Sequence, residues 1–266
     1  MAEKSDGILQ VKSLRKNFGG VVALDELSFE VHDGQIKSII GPNGAGKTTL
    51  FNIISGVYPP TSGQVWFLGK NIGNIRAHVA AKMGISRTFQ NLQLFANMTV
   101  LENVMVGRHC RTKTGFVRSA LKLPGAVKEE RLTVGAAMEL LRFVGLEESA
   151  HRGAATLPFG KQRLVEIARA LATGPKLLLL DEPASGLNLR ETEEVGKLIQ
   201  TIRDTGKTVI VVEHDMSLVM GISEEVLVLD HGRRIAEGPP RHVQKHPEVL
   251  KVYLGEEIPH AQSPEP

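Results

Sequence analysis

Residues 41–48, with the sequence GPNGAGKT, match the pattern G-x-x-x-x-G-K-[ST] and constrain the fold more than any other segment. Residues 35–40 predict a short strand before the loop, and residues 47–54 predict a helix after it. The glycines of such a loop let backbone N–H groups approach phosphate oxygens, and the helix N-terminus adds its positive dipole end. Lys47 then reaches the β- and γ-phosphates, and the Thr48 hydroxyl is placed to bind Mg²⁺. The alternative is a glycine-rich turn with an incidental lysine.

A pair of acids, Asp181 and Glu182, follows the apolar run at residues 177–180. This run and the one at residues 209–212 are typical of strands in a parallel sheet that is covered on both faces. Ligands of open α/β sheets bind at the C-terminal ends of the strands, so we expect Asp181 to hold Mg²⁺ there, directly or through water. If extended geometry continues, Glu182 points the opposite way and orients or deprotonates the attacking water.

The apolar periodicity divides the chain into α/β and helical parts. Strand patterns occur at residues 8–14, 21–31, 35–40, 64–68, 84–88, 176–180, 208–212, 225–230 and 233–237. Helical patterns occur at residues 47–54, 76–82, 99–108, 128–144 and 190–205. Because no strand pattern occurs between residues 91 and 174, we predict a helical subdomain inserted into an α/β domain. The proline-rich tail from residue 256 is predicted to be disordered.

Composition restricts the compartment and the partners. Cys110 is the only cysteine, which excludes an intramolecular disulfide and fits a reducing compartment. The charged N-terminus lacks the apolar core of a signal peptide, and no window approaches the roughly 18 apolar residues of a membrane span. The net charge of +3 does not suggest nucleic acid as a partner. We therefore expect a cytoplasmic protein that acts at a membrane only through other subunits.

The segment 108–128 is basic and contains no acid. Its cationic residues are Arg108, Arg111, Lys113, Arg118, Lys122 and Lys128. Contact with anionic lipid headgroups is one interpretation, and a solvated loop between helices is the other.

With five further motifs, the phosphate loop and the acid pair lie in the order typical of ABC ATPases, and residues 7–255 resemble that family. The further motif residues are Phe18, the Q-loop Gln90, the signature Leu157, Pro158, Phe159, Gly160 and Lys161, the D-loop Ser185, Gly186, Leu187 and Asn188, and the switch His214. The resemblance implies an α/β P-loop ABC ATPase domain with a mixed sheet, an N-terminal antiparallel β subdomain and an inserted helical subdomain. Residues 7–90 and 174–255 would form the RecA-like core with the β subdomain, and residues 91–173 the helical subdomain.

The resemblance also implies the roles of these residues toward ATP and Mg²⁺. The ATP-binding residues would be Phe18, which stacks on adenine, and Gly41, Pro42, Asn43, Gly44, Ala45, Gly46, Lys47, Thr48 and Thr49. The catalytic residues would be Glu182, His214, Gln90 and Lys47, and the metal-binding residues Thr48, Gln90 and Asp181. The signature would act on the ATP of a partner chain.

The signature departs from the family's pattern L-S-G-G-Q. Pro158 replaces the serine, whose hydroxyl in the family donates to the γ-phosphate of the opposite subunit's ATP, and Phe159 replaces the first glycine. Proline offers neither a hydroxyl nor an N–H group. Gly160 still permits close approach, and a helix expected to begin near Lys161 supplies its dipole. We expect a weakened signature that keeps part of its function.

Several segments resemble one branch of the family, the ATPases of branched-chain amino acid importers. They are RTFQ at residues 87–90, MTVLENV at 98–104, EHDM at 213–216 and VYLGE at 252–256. An aromatic residue before the signature glycine is also normal in this branch. The branch implies a second ATPase subunit, two membrane permeases and a periplasmic binding protein, at the cytoplasmic face of the inner membrane. A heterodimer of ATPases is expected, with a homodimer as the alternative.

Other interpretations remain open at this point. Uptake of urea, short amides or aromatic compounds uses similar ATPases, and the lipopolysaccharide-export ATPase shares the VYLGE ending. A soluble ABC protein and a P-loop small-molecule kinase are the alternatives outside transport. Leu92, Leu94, Phe95 and Met98 would either line a groove for a permease helix or pack the helical subdomain.

Overall fold

A computed structural model of the protein describes residues 7–108 and 124–254, with the side chains of residues 124–128 and 253–254 left out. The described strands are β1 (Gly7–Phe18), β2 (Val21–His32), β3 (Ile36–Ile40), β4 (Ser62–Phe67), β5 (Lys70–Asn71), β6 (Ile85–Arg87), β7 (Leu177–Asp181), β8 (Thr208–Val212), β9 (Glu225–Asp230) and β10 (Arg233–Gly238). The described α-helices are α1 (Lys47–Ile54), α2 (Ala77–Met83), α3 (Val100–Arg108), α4 (Pro124–Phe143), α5 (Phe159–Ala172), α6 (Leu189–Asp204), α7 (Met216–Ile222), α8 (Pro240–Val243) and α9 (Pro247–Leu254).

The strands form two sheets. The central sheet has the order β10-β9-β3-β8-β7-β6, in which β10 runs antiparallel to β9 and the other neighbours are parallel. The second sheet has the order β2-β1-β4-β5 and is antiparallel. The predicted mixed sheet and N-terminal antiparallel sheet are therefore confirmed.

The central strands β3, β7 and β8 are buried at every position, because both faces of the sheet are covered. Leu177 and Leu179 pack into one core with helix α1 and the antiparallel sheet. Leu178 and Leu180 pack on the opposite face against helices α5 and α6. The continuous apolar runs of the sequence follow from this double coverage.

Residues between β6 and β7 have a core of their own. Val104 of helix α3, Leu141 of α4 and Val165 of α5 are buried together in it. In the described part of this region, backbone pairing of the β type is limited to an isolated bridge between Thr99 and Gly153. The predicted helical periodicity of residues 128–144 places Leu141 and Val144 in this core.

Some elements differ from the sequence predictions. Helix α5 begins at Phe159, with Pro158 as its N-cap, two residues before the position near Lys161 that the sequence predicts. Strand β5 and helices α7, α8 and α9 were not predicted. Most of the basic segment 108–128 and the tail from residue 256 lie outside the described residues. None of the described helices combines the length and the apolar composition that crossing a bilayer requires.

Candidate functional site

The phosphate loop joins β3 to α1 in the way the sequence predicts. Two of its glycines have no room for a side chain: a Cβ on Gly41 would lie 2.0 Å from the carbonyl oxygen of Leu229, and a Cβ on Gly46 would lie 2.6 Å from that of Ala23. Both residues also have positive φ angles, of 149° and 101°. The ammonium of Lys47 is folded over the loop and donates to the carbonyl oxygens of Gly41 (2.5 Å) and Pro42 (2.9 Å).

Strand β7 ends beside this loop with the acid pair. Asp181 is 2% exposed, and its Oδ2 accepts a hydrogen bond of 2.8 Å from Nη2 of Arg87. Its backbone N–H donates to the hydroxyl of Thr88 at 3.1 Å. The carboxylate of Asp181 therefore has a fixed orientation at the end of the strand.

The expectation of extended geometry at Glu182 was wrong. Its φ angle is +48°, in the left-handed region, because the chain turns there while the Glu182 N–H donates to the carbonyl oxygen of Val212 at 2.8 Å. The turn still directs the carboxylate toward other predicted site residues. Oε2 accepts a hydrogen bond of 3.1 Å from Nε2 of Gln90, and Oε1 lies 2.8 Å from Nε2 of His214. Three residues from separate segments of the chain thus meet at one carboxylate.

Glu213 is a site residue to which the sequence analysis assigned no role. It follows strand β8 at the same edge of the sheet, is 3% exposed, and accepts backbone N–H groups of Ala184 (2.7 Å) and His214 (3.0 Å). Burial raises the pKa of Glu213, opposed by these hydrogen bonds. An acid directly after a buried strand beside Asp181 was the signal that could have identified it.

Phe18 lies at the end of β1, where the hairpin with β2 begins, and its ring is half-exposed. It packs edge to face on Tyr58, with ring centroids 5.4 Å apart, and the ammonium of Lys16 lies 5.1 Å from the Phe18 ring. The same hairpin contacts the phosphate loop through Ala23 and Gly46. Phe18 is therefore an accessible aromatic surface on the element next to the loop.

The signature residues contact the D-loop of the same chain. Cε1 of Phe159 lies 3.0 Å from the position of a Cβ on Gly186, and a Cβ on Gly160 would lie 2.5 Å from Oε1 of Glu191. Asn188 and Glu191 form a capping box at the start of helix α6. The signature is thus set against the N-terminus of α6 rather than against the phosphate loop of its own chain.

The oxygen donors near the phosphate loop suit Mg²⁺, which binds proteins through one or two carboxylates together with substrate phosphates. Thr48 is exposed at the start of α1. Arg87 occupies only Oδ2 of Asp181, and no described residue donates a hydrogen bond to Oδ1. Within residues 7–108 and 124–254, His, Cys, Asp and Glu form no cluster of three that could hold a metal without a ligand's help.

Comparisons with known proteins identify the family. A family model described as ABC transporter matches residues 24–185, and one described as branched-chain amino acid ATP-binding cassette transporter matches residues 233–258. The chain is 43% identical over 250 residues to the high-affinity branched-chain amino acid transport ATP-binding protein BraF of Pseudomonas aeruginosa, covering 94% of this chain and 98% of BraF. It is 42% identical over 253 residues to LivG of Escherichia coli, which has the same description, covering 95% and 99%.

Solved structures lead to the same assignment. A nucleotide-free ATP-binding cassette of an ABC transporter superposes with a TM-score of 0.82 at 34% identity, covering 93% of this chain and 98% of that one. The ADP conformation of such a cassette gives a TM-score of 0.83 at 34% identity, with coverages of 94% and 100%. The chain therefore belongs to the ABC transporter family, as one of its ATP-binding cassettes.

Proposed function

We propose that the protein is the ATP-binding and hydrolysing subunit of an ABC importer for branched-chain amino acids or a related small polar solute. The observation that carries the hydrolytic part is the convergence of Gln90 and His214 on the carboxylate of Glu182, beside a phosphate loop. The similarity to BraF and LivG over more than nine-tenths of the chain supports branched-chain amino acids as the transported solute. The match to the branched-chain amino acid family model at residues 233–258 favours this cargo over lipopolysaccharide export.

ATP would bind with its phosphates on residues 41–49 and its adenine on the exposed ring of Phe18. Lys47 would exchange its two carbonyl partners for the β- and γ-phosphates, which attract the ammonium more strongly because they are charged. Thr48, Asp181 and Gln90 would hold Mg²⁺. When bound, the ion neutralises charge that develops on the phosphates.

Glu182 is the proposed base for the attacking water. Its carboxylate is partly buried, and two polar side chains fix its orientation at 3.1 Å and 2.8 Å. On binding of ATP, His214 would turn from this carboxylate to the γ-phosphate, while Gln90 would keep the water in line.

A second ATPase subunit would complete each ATP site. The signature residues 157–161 would meet the partner's ATP through the first N–H groups of helix α5, since Pro158 at the N-cap removes the hydroxyl but leaves these groups in place. Pro158 and Phe159 replace the family's serine and glycine in the signature of this chain. If the partner is a different chain with its own signature, the two ATP sites would therefore be unequal.

One of the two permease subunits would dock in a groove of about 730 Å³ between the helical region and the central sheet, and the second ATPase subunit would take the other. Leu94 and Phe95 line this groove, whereas Leu92 and Met98 do not. Phe95 is 47% exposed, so a permease helix of apolar character would bury it. The complex would hold the protein at the cytoplasmic face of the inner membrane, with a periplasmic binding protein on the other side.

The variant Glu182→Gln tests the hydrolytic mechanism. It should keep ATP binding but lose about 10²- to 10⁴-fold in turnover, the usual contribution of general-base catalysis. Nucleotide binding by calorimetry and phosphate release by the purified complex measure the two quantities. Glu194→Gln, an exposed glutamate on helix α6, is the matched control and should change neither. Unchanged turnover in Glu182→Gln would remove that residue from the role of base.

Uptake measurements test the cargo. Cells that lack this protein should lose uptake of labelled leucine, isoleucine and valine and regain it with the wild-type gene but not with the Glu182→Gln variant. Normal uptake of these amino acids, with loss of urea or amide uptake, would transfer the proposal to the other solute class.

A further inference from the structure

Arg87 is a buried cation beside the phosphate loop for which the proposed mechanism has no role. It is the last residue of strand β6, which pairs in parallel with β7, and its side chain is 7% exposed. Because β7 ends at Asp181, the strand pairing brings the guanidinium next to the carboxylate of the proposed Mg²⁺ ligand.

The guanidinium connects two parts of the site. Nη2 donates to Oδ2 of Asp181 at 2.8 Å, and Nη1 donates to Oδ1 of Asn52 at 2.5 Å. Asn52 lies on helix α1, the helix that begins at Lys47. One side chain therefore spans from the helix of the phosphate loop to the end of β7.

Two aromatic rings hold the plane of this guanidinium. Its central carbon lies 5.6 Å from the centroid of the Phe51 ring and 5.3 Å from that of the Phe89 ring. An arginine donates through a rigid planar fork and stacks on aromatic faces, whereas a lysine ammonium is a single point of charge. The environment is therefore specific for the shape of arginine and not only for its charge.

We propose that Arg87 is a positioning residue for the Mg²⁺ of the bound nucleotide. By occupying Oδ2, it leaves Oδ1 of Asp181 as the oxygen that faces the metal, and by holding Asn52 it fixes that oxygen relative to helix α1. Mg²⁺ demands nearly ideal octahedral geometry, so a ligand with a fixed orientation binds it better than a mobile one. This inference rests on the proposed role of Asp181 as a metal ligand.

The variant Arg87→Met tests the inference through metal binding. Mn²⁺ serves as the probe, titrated into the protein with a non-hydrolysable ATP analogue and followed by its paramagnetic resonance signal. The half-saturating Mn²⁺ concentration should rise about 10-fold or more, the usual effect of removing a residue that orients a metal ligand. Affinity for the nucleotide in EDTA should stay within about twofold, because the phosphate loop and Phe18 are unchanged. Arg87→Lys should recover little, since an ammonium cannot hold Asn52 and Asp181 in the same fork.

A second variant and a control complete the design. Asn52→Ala removes the nearer partner of Nη1 and leaves the longer contact to Oγ of Ser55 at 3.5 Å, while keeping Arg87 and Asp181. It should therefore shift Mn²⁺ binding in the same direction by less, and it serves if the Arg87 variants do not fold. Arg142→Met removes an arginine from an exposed pair with Glu147 and should leave Mn²⁺ binding unchanged. The inference would be overturned if Mn²⁺ binding were unchanged in Arg87→Met or in Asn52→Ala. It would also be overturned if Arg87→Lys restored Mn²⁺ binding fully, or if Arg87→Met lost nucleotide affinity in EDTA to the same extent.

The same titration separates this inference from the proposed function. If Asp181→Asn leaves Mn²⁺ binding unchanged, the proposed metal ligand itself is wrong. If Asp181→Asn weakens Mn²⁺ binding and Arg87→Met does not, only the role of Arg87 is refuted.

Discussion

The variant Arg163→Met should be among the most destabilising single changes in this protein. Arg163 and Glu166 lie one turn apart on helix α5, joined at 2.7 Å with side chains only 2% and 1% exposed. Arg163 also donates to the carbonyl oxygens of Phe89 (3.2 Å) and Gln90 (3.3 Å), and Glu166 accepts the Phe89 N–H at 3.3 Å. Burial raises the pKa of Glu166, and the charge of Arg163 opposes that shift.

Removing one partner of a buried ion pair costs about 3–5 kcal/mol, because the remaining carboxylate keeps its desolvation penalty and loses its nearest opposite charge. That is a large share of the roughly 5–15 kcal/mol that stabilises a typical domain. Replacing both partners by apolar residues is often nearly neutral. Arg163→Met combined with Glu166→Leu should therefore be more stable than Arg163→Met alone. Urea denaturation followed by circular dichroism measures the free energy of unfolding of each variant.

Arg142→Met is the control for the loss of an arginine, because its pair with Glu147 is exposed and screened by solvent and should contribute little to stability. A cost below about 1 kcal/mol for Arg163→Met would refute the reasoning. The reasoning would also be refuted if the double variant lost as much unfolding free energy as Arg163→Met and Glu166→Leu lose together as single variants, since the two charges would then act independently. ATP turnover gives a second readout: the double variant should remain slow, because the backbone of Gln90 has lost its anchor on α5.

Two further predictions concern packing and pH. Gly107→Ala should lower the free energy of unfolding by about 1–3 kcal/mol, because its Cβ would lie 2.1 Å from the carbonyl oxygen of Arg169. Gly135→Ala should raise it by about 0.5–1 kcal/mol, because the added Cβ would meet open space. Thermal unfolding measures both changes. The raised pKa of Glu213 means that the folded state holds this proton more tightly than the unfolded state. The protonated Glu213 contributes its full stabilisation below the ordinary glutamate pKa of 4.5, and this contribution is lost as pH rises through the raised pKa of the folded state. Between these two pKa values, the free energy of unfolding of the wild type should therefore fall relative to that of Glu213→Gln. A stability difference that does not change with pH would contradict this assignment.

The continuous apolar strands could be predicted from sequence because their environment is uniform. Residues 208–212 were predicted with the bounds of β8, since burial on both faces demands an apolar or small residue at every position. Helix α7 was missed because it is short and its start depends on a local cap: the Leu218 N–H donates to Oδ1 of Asp215 at 3.0 Å. The start of α5 was predicted only to within two residues, because Pro158 at the N-cap makes no side-chain hydrogen bond that would mark it.

The chemistry of the candidate site could be predicted more fully than its geometry. Residue types such as Lys47 and Asp181 follow from what phosphate and Mg²⁺ require. The turn at Glu182 could not be predicted, because it depends on a hydrogen bond to Val212, on a neighbouring strand. The pairing of Arg87 with Asp181 was equally out of reach, since it follows from the register of β6 on β7. Contacts of this kind depend on the assembled sheet, and no local pattern encodes them.

The contacts of Gln90 connect helix α5 to the proposed water site. Its carbonyl oxygen is held by Arg163, while its exposed side chain donates to Glu182. The backbone of residues 89–90 is held by three hydrogen bonds to the buried charged groups of Arg163 and Glu166, each worth about 1.5–3 kcal/mol, whereas the exposed side chain of Gln90 holds Glu182 through one bond. If α5 moves, the backbone at residues 89–90 therefore moves with it, and the bond to Glu182 breaks first. The position of the helical region can thus set the orientation of the proposed base, because the weaker of the two contacts is the one at the carboxylate.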